Sequence, residues 1–463
     1  MGLLIGVGQT RPQSAYDYWY GIEWDVTVSN PHPTRIGKDE LHKSLPLQNM
    51  MRGCLLKDDG TVNYYLHAND STKRDTGAAA NLTGADGQAM VELPDVYARF
   101  EMDGNKRRAL MSPQALPGFH LWKKDYISMY EAAVQRSTTT LCSVVNTDAD
   151  YRGGGNNAAW DENSNTLLGR PATTINLTNF RAYARKRGSV GWNCNVYSIH
   201  RKVWWLFAIE YCTFDSQETF NAELTAEGYR QGGLGVGVTT LDGNKWNAFN
   251  GYMPFVPCGY TNSLGNHSGY VEYTMPPEYD ATEKKVQVNR YRGIELPFGH
   301  IWKWTDGCKC MIQSDADGGL SNFYVADDAA SFNSSGLSGY ALRGNISRTG
   351  GYVKEILLGE DGDIMPLSVG GGSTIYFCDY FYTSIPTSGT SERGVLFGGI
   401  ADHGTAAGFV YANTNNTVSN ANANIGSQLC LSKNIVAKRK PCQSSIRGDK
   451  SGKETRRQKI KYV

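Results

Sequence analysis

Hydrophobic and polar positions along this chain alternate in short runs, and only twice recur at helical spacing. Thr61-Val-Asn-Tyr-Tyr-Leu66 after the turn Asp58-Asp59-Gly60, Asp125-Tyr-Ile-Ser-Met-Tyr-Glu131, Tyr352 to Leu358 and Ser373 to Thr383 each predict a strand. Ala89 to Pro94 and Val96 to Glu101 predict a strand pair, and Tyr16 to Asp25 an aromatic-rich pair broken at Pro31-His-Pro33. Asn176 precedes a stretch in which Leu177, Phe180 and Ala184 share one face and Gly188 supplies a stop, which predicts a helix capped by Asn176. Arg181 and Lys186 then fall on its wet side. Ser198 to Thr213, with Trp204, Trp205, Phe207, Ala208 and Tyr211, predicts a second helix with a broad apolar surface.

From Arg393 to Leu431 the pattern thins. Val395-Leu-Phe397 and Phe409-Val-Tyr411 are short apolar runs bordered by Gly. Asn413, Asn415, Asn416, Asn420, Asn422 and Asn424 follow among small residues, and Ile425 to Leu431 closes as an alternating strand. Asn both donates and accepts hydrogen bonds and tolerates left-handed backbone. The expectation is a thin framework carrying replaceable polar side chains, and an ordinary Asn-rich surface turn is the plain alternative.

Composition narrows the class. With 52 Gly and 27 Tyr among 463 residues and 20% charged, the chain fits a loop-rich β-containing protein better than a helical bundle. A net charge of +1 predicts neither nucleic acid nor membrane as a partner. From Lys433 onward eleven basic residues face only Asp449 and Glu454, so the 432–463 tail is strongly basic, read as an unstructured end or a segment that packs on a partner. Ten cysteines without regular spacing argue for reduced thiols, and no apolar run approaches the roughly 20 residues of a membrane helix. The Gly- and Asn-rich stretch 146–165 is the best compositional boundary. It divides a β-rich module, 1–165, from a second domain, 166–431.

The ending resembles the variable region of proteins diversified by diversity-generating retroelements, which have a C-type lectin fold. The residues that carry the likeness are Gly398-Gly399, Ala407-Gly408-Phe409, Ser419 to Asn424 and Ile425-Gly426-Ser427, with Gln428 where the family usually has Arg. Ala208-Ile-Glu210-Tyr211-Cys212 and Ile301-Trp302-Lys303-Trp304-Thr305-Asp306 are similar to motifs of the formylglycine-generating branch of that fold. The resemblance implies an α+β chain: a C-terminal C-type lectin domain of the formylglycine-generating-enzyme-like branch, its variable region at 393–431, behind a β-rich attachment module similar to that of phage tail proteins. It further implies a non-enzymatic receptor-binding protein of the phage virion. Its partners would be a host cell-surface protein or glycan and other tail proteins, with a homo-oligomer such as a trimer supplying multivalency. The residues it puts on the variable face are Ile400, Asp402, His403, Thr405, Ala406, Tyr411, Asn413, Asn415 and Asn416. Tyr411 would be the amphipathic anchor and the Asn side chains adaptable hydrogen-bonding groups.

Enzyme chemistry finds little to stand on. A copper site for cysteine oxidation needs paired soft thiolates; Cys378 has no partner at suitable spacing, and Cys308-Lys-Cys310 reads as two edge-strand thiols. Gly232-Gly-Leu-Gly-Val-Gly237 lacks the Gly-Lys-Ser/Thr of a phosphate cradle. His200, His267, His300 and His403 are scattered, and Asp315-Ala-Asp317 and Asp361-Gly-Asp363 fit turns as well as calcium. No metal and no cofactor are therefore expected. A structural virion protein and a cysteine-oxidising enzyme are the competing readings.

Overall fold

A computed structural model describes residues 15–432. The first segment and the basic tail, with the roles considered for it, lie outside the described residues. Strands dominate and helices are few, so the α+β expectation holds only loosely.

Three sheets organise the molecule. A five-stranded sheet runs in the order Thr34–Gly37, Tyr20–Asp25, Lys106–Ser112, Val96–Asp103, His120–Trp122. A seven-stranded sheet runs Trp192–Cys194, Gln428–Ser432, Asp125–Glu131, Gln88–Leu93, Arg52–Leu56, Val62–His67, Asp70–Arg74. The largest sheet is centred on Trp302–Gln313, which pairs antiparallel with Thr390–Gly398; beyond it come Gly408–Asn413, Tyr380–Tyr382 and Gly351–Leu358.

Two sequence expectations change at this level. The runs Ala89–Pro94 and Val96–Glu101 are strands but not a pair: the first joins the seven-stranded sheet and the second the five-stranded one. Pro94, which lacks an amide proton, stands at the corner between them. The closing alternation of Ile425 to Leu431 is also divided. Ile425–Gly426 pairs parallel with Trp302–Lys303, whereas Gln428–Ser432 inserts between Asp125–Glu131 and Trp192–Cys194. Ser427 is the crossover, its Oγ donating to Trp304 O at 2.7 Å and accepting from Asn195 N at 3.0 Å. The seven-stranded sheet thus takes strands from both sides of position 165.

Asn176 caps the helix Leu177–Arg185, its side chain accepting from Asn179 N. Arg181, however, is not on a wet face. It is 6% exposed and pairs with Asp306, because the helix lies against the central strand. The second helix, Tyr197–Tyr211, is buried along nearly its whole length and ends where Cys212 turns left-handed at φ 56°. Its charged residues survive burial by pairing: Arg201 with Asp363 at 2.8 Å, and Glu210 with Arg292. Trp302, Lys303, Trp304 and Thr305 are all buried, as a central strand covered on both faces requires.

Candidate functional site

The Gly398-Gly399 pair takes φ values of 101° and 78°, a backbone open chiefly to glycine, and so ends the Thr390–Gly398 strand. A Cβ on residue 399 would come within 2.9 Å of the Ala407 Cβ, so both stems of the 400–407 loop close tightly. The return strand Gly408–Asn413 is fixed from behind by Asp379, whose Oδ2 accepts from Val410 N at 2.8 Å. A Cβ on Gly408 would sit 1.9 Å from the other Asp379 oxygen, which leaves only glycine there. Burial pushes the Asp379 carboxyl well above the usual carboxylate range.

Main-chain groups hold the loop. Leu241 N donates to Ala401 O and Gly404 N to Thr239 O, both at 2.9 Å. Gln217 Nε2 donates to Gly404 O at 2.9 Å and to Ala407 O at 2.6 Å. None of these bonds uses a loop side chain. The identity of residues 402, 405 and 406 is therefore largely free of the loop's own support, whereas His403 Nδ1 accepts from Ile400 N at 3.3 Å.

The predicted site residues divide into three groups. Thr405 is exposed; Asp402, His403, Ala406, Asn415 and Asn416 are half-buried; Ile400, Tyr411 and Asn413 are buried at 6%, 6% and 7% exposure. Tyr411 is thus not a displayed anchor. Its ring packs edge-on against Trp302 at 4.8 Å and lies near Tyr380 and His403 at 5.8 and 5.1 Å. The physical reason is that Gly408–Asn413 is interior to its sheet and buried at every position, so Tyr411 packs in the core beside Trp302. Ile400 lies in that same core.

The asparagines are also more tied down than their composition suggests. Asn413 Oδ1 accepts from Asn415 N at 2.8 Å, and Asn420 Nδ2 donates to Asn416 Oδ1 at 2.8 Å. Asn415 Oδ1 accepts from the Ser384 hydroxyl. The main chain of the run accepts from the body too: Asn420 O from Trp304 Nε1 at 3.3 Å, Asn424 O from Trp302 N at 2.9 Å, and Asn422 O from Thr174 N at 3.0 Å. These side chains therefore do structural work that the sequence reading had assigned to contact.

What the face offers instead is tyrosine. Tyr352 lies edge-on to Tyr380 at 5.3 Å and its hydroxyl meets Thr405 Oγ1 at 3.0 Å. Tyr382, two residues on from Tyr380, is 44% exposed. The sequence predicts a strand through Tyr380 and Tyr382, and within it the alternation Tyr380-Phe381-Tyr382 leaves only Phe381 fully buried and Tyr382 exposed. That alternation was the available signal. Beside the tyrosines, His403 rests on Trp302 at 5.2 Å, and burial holds its pKa down to about 4, so the ring is neutral at pH 7. Burial raises the Asp402 carboxyl, whose Oδ1 has no hydrogen-bond partner among the described residues. The face is aromatic and hydroxyl-rich, with a neutral imidazole at its edge.

The other candidates resolve into structural roles. Cys308 and Cys310 lie in the central strand, between Ser321–Val325 and Thr390–Gly398, and not at a sheet edge. Burial raises both thiols and that of Cys378, so they are not thiolates. Asp315 pairs with Arg348 at 2.6 Å, and Asp361 and Asp363 with arginines, which leaves those carboxylates neutralised by cations. His200 bonds Phe409 O at 2.7 Å and His300 bonds Glu131 at 2.6 Å. Among the described residues no three His, Cys, Asp or Glu side chains group to hold a metal, and no helix is long and apolar enough to cross a membrane.

No protein-family model and no curated protein matches the chain. Among solved structures it is similar to the Major Tropism Determinant U1 variant, at 14% identity over 82% of this chain and 71% of that one, with a TM-score of 0.23. The I1 and P3c variants match over the same shares at 12% and 13% identity, with TM-scores of 0.24 and 0.23. Superposition at that level leaves function to be argued from the side chains.

Proposed function

We propose that this chain is a non-catalytic receptor-binding protein of a bacteriophage tail, with a C-type lectin-fold domain at 166–431 that touches a host-surface protein or glycan. Its variable region, 393–431, is diversified by a retroelement, and residues 1–165 attach it to other tail proteins. Copies act together, as a trimer or as many protomers per virion, because a patch this small binds modestly alone. The contact face comprises Asp402, His403, Thr405 and Ala406 with Tyr352, Tyr380 and Tyr382. Ile400, Tyr411 and Asn413 belong to its support.

One observation carries the reading. The 400–407 loop is anchored chiefly through its main chain, to Thr239, Leu241 and Gln217, so the side chains of Asp402, Thr405 and Ala406 are replaceable without loss of the frame, while His403 also accepts from Ile400 N. Tyrosines beside such a loop supply contact area at low conformational cost. The test replaces Asp402, His403, Thr405 and Tyr382 together by Ala and measures both the thermal midpoint and binding to intact host cells. Retained folding with at least tenfold weaker binding is expected; retained folding with unchanged binding rejects this face. Sibling sequences from one population separate the reading from a purely structural virion protein. Substitutions concentrated at 402–406 favour display, and an even spread favours a scaffold.

A further inference from the structure

Away from the tyrosine face, the long helix ends at Tyr211 against an open cavity of about 320 Å³. We propose that this cavity, lined by Tyr211, Phe220, Arg230, His267, Ser268 and Arg292, binds a single carboxylate-bearing sugar residue.

The charge in the cavity favours one negative group. Arg292 stands at the first position of a two-residue hairpin turn, Arg292-Gly293, with φ of 46° and 93°. Its guanidinium is spent on Glu210, at 2.5 Å to Oε1, and the remaining Glu210 oxygen accepts from the Tyr291 hydroxyl at 3.1 Å. Arg35 serves the helix end, bonding Tyr211 O at 3.3 Å and Arg230 O at 2.9 Å while stacking on Tyr229 at 4.5 Å. The Arg230 side chain alone makes no hydrogen bond or ion pair among the described residues. One uncompensated guanidinium matches a carboxylate, which it holds with two parallel N–H bonds, better than a phosphate bearing nearly two charges.

The walls specify the rest of the ligand. Phe220 gives the cavity an aromatic wall for the apolar side of a sugar, with the largely buried Tyr211 beside it, and the Ser268 hydroxyl at the rim accepts from Arg292 N at 3.3 Å. His267 Nε2 lies 2.8 Å from Asn69 Oδ1, so the neutral ring donates there and keeps Nδ1 as an acceptor. Burial, with Arg292 and Arg230 nearby, lowers the His267 pKa and keeps that ring from adding a second positive charge. The volume sits at the small end of ligand cavities and fits one residue better than a chain.

The experiment is saturation-transfer NMR on the full chain with glucuronate and glucose as probes and inorganic phosphate as a competitor of glucuronate. Glucuronate should bind at least tenfold more tightly than glucose or phosphate. Arg230→Ala should weaken glucuronate at least tenfold with an unchanged thermal midpoint, and Arg230→Lys should fall between. Phe220→Ala, judged the same way, covers the case in which the arginine variant fails to fold. No glucuronate signal, equal binding of glucose, preference for phosphate, or full binding by folded Arg230→Ala would each overturn the assignment. None of these outcomes bears on the tyrosine face, whose test uses other residues.

Discussion

Arg181 and Asp306 meet in a two-pronged ion pair inside the protein, Nε to Oδ2 at 2.6 Å and Nη2 to Oδ1 at 3.0 Å. The pair joins the Leu177–Arg185 helix to the central strand Trp302–Gln313, and Asp306 is 1% exposed. Burial by itself would lower the arginine's pKa; the Asp306 carboxylate outweighs it and holds the guanidinium more firmly protonated than usual. Breaking one side leaves a buried charge alone, so Asp306→Ala should cost about 3–5 kcal/mol in urea unfolding. A loss below about 1 kcal/mol would mean that water replaces the lost carboxylate.

Gly408→Ala should destabilise the chain by about 1–3 kcal/mol, because the new methyl enters space held by Asp379. Serine at 408 should be no better. A thermal midpoint equal to wild type would show that the Asp379 side chain swings aside without losing its bond to Val410 N.

Tyr411 and Tyr382 should behave oppositely although they lie on neighbouring strands of one sheet. Tyr411→Ala empties a site packed by Trp302 and Tyr380 and should cost about 3 kcal/mol. Tyr382→Ala, at an exposed position, should stay within about 0.5 kcal/mol of wild type while weakening cell binding. Denaturant midpoints of the two variants decide it, and equal losses would contradict the division between support and face.

His200 tests the core's response to pH. It is buried, and burial lowers its pKa to about 4 against 6.5 for the free side chain. Between those values the unfolded chain binds more protons at this site, so the histidine's contribution is full above pH 6.5 and is lost as pH falls toward 4. Comparison with His200→Gln isolates that contribution from the raised carboxyls elsewhere. The stability gap between wild type and variant should narrow by about 2 kcal/mol from pH 7 to pH 5. A gap independent of pH would mean that the ring titrates in the fold as it does in the unfolded chain.

Local signals in the chain were enough for the elements themselves. Asn176 announced its helix because a cap needs only the side chain and an amide three residues on. Gly398-Gly399 announced the end of a strand because left-handed backbone excludes most other residues. The cage around Glu131 was out of reach: His300 and Lys303, at 2.6 and 3.0 Å, come from a segment far along the chain. So was the burial of Arg181, since an amphipathic pattern cannot reveal a partner 125 positions away. The burial of Ile400 and Tyr411 was decided by what covers them, since Gly408–Asn413 is interior to its sheet and buried at every position, which leaves no mark in composition. Hydrogen bonding and backbone sterics act between neighbours and are written in sequence. Which charges are neutralised and which side of a strand meets water depend on surfaces brought together only when the sheets close.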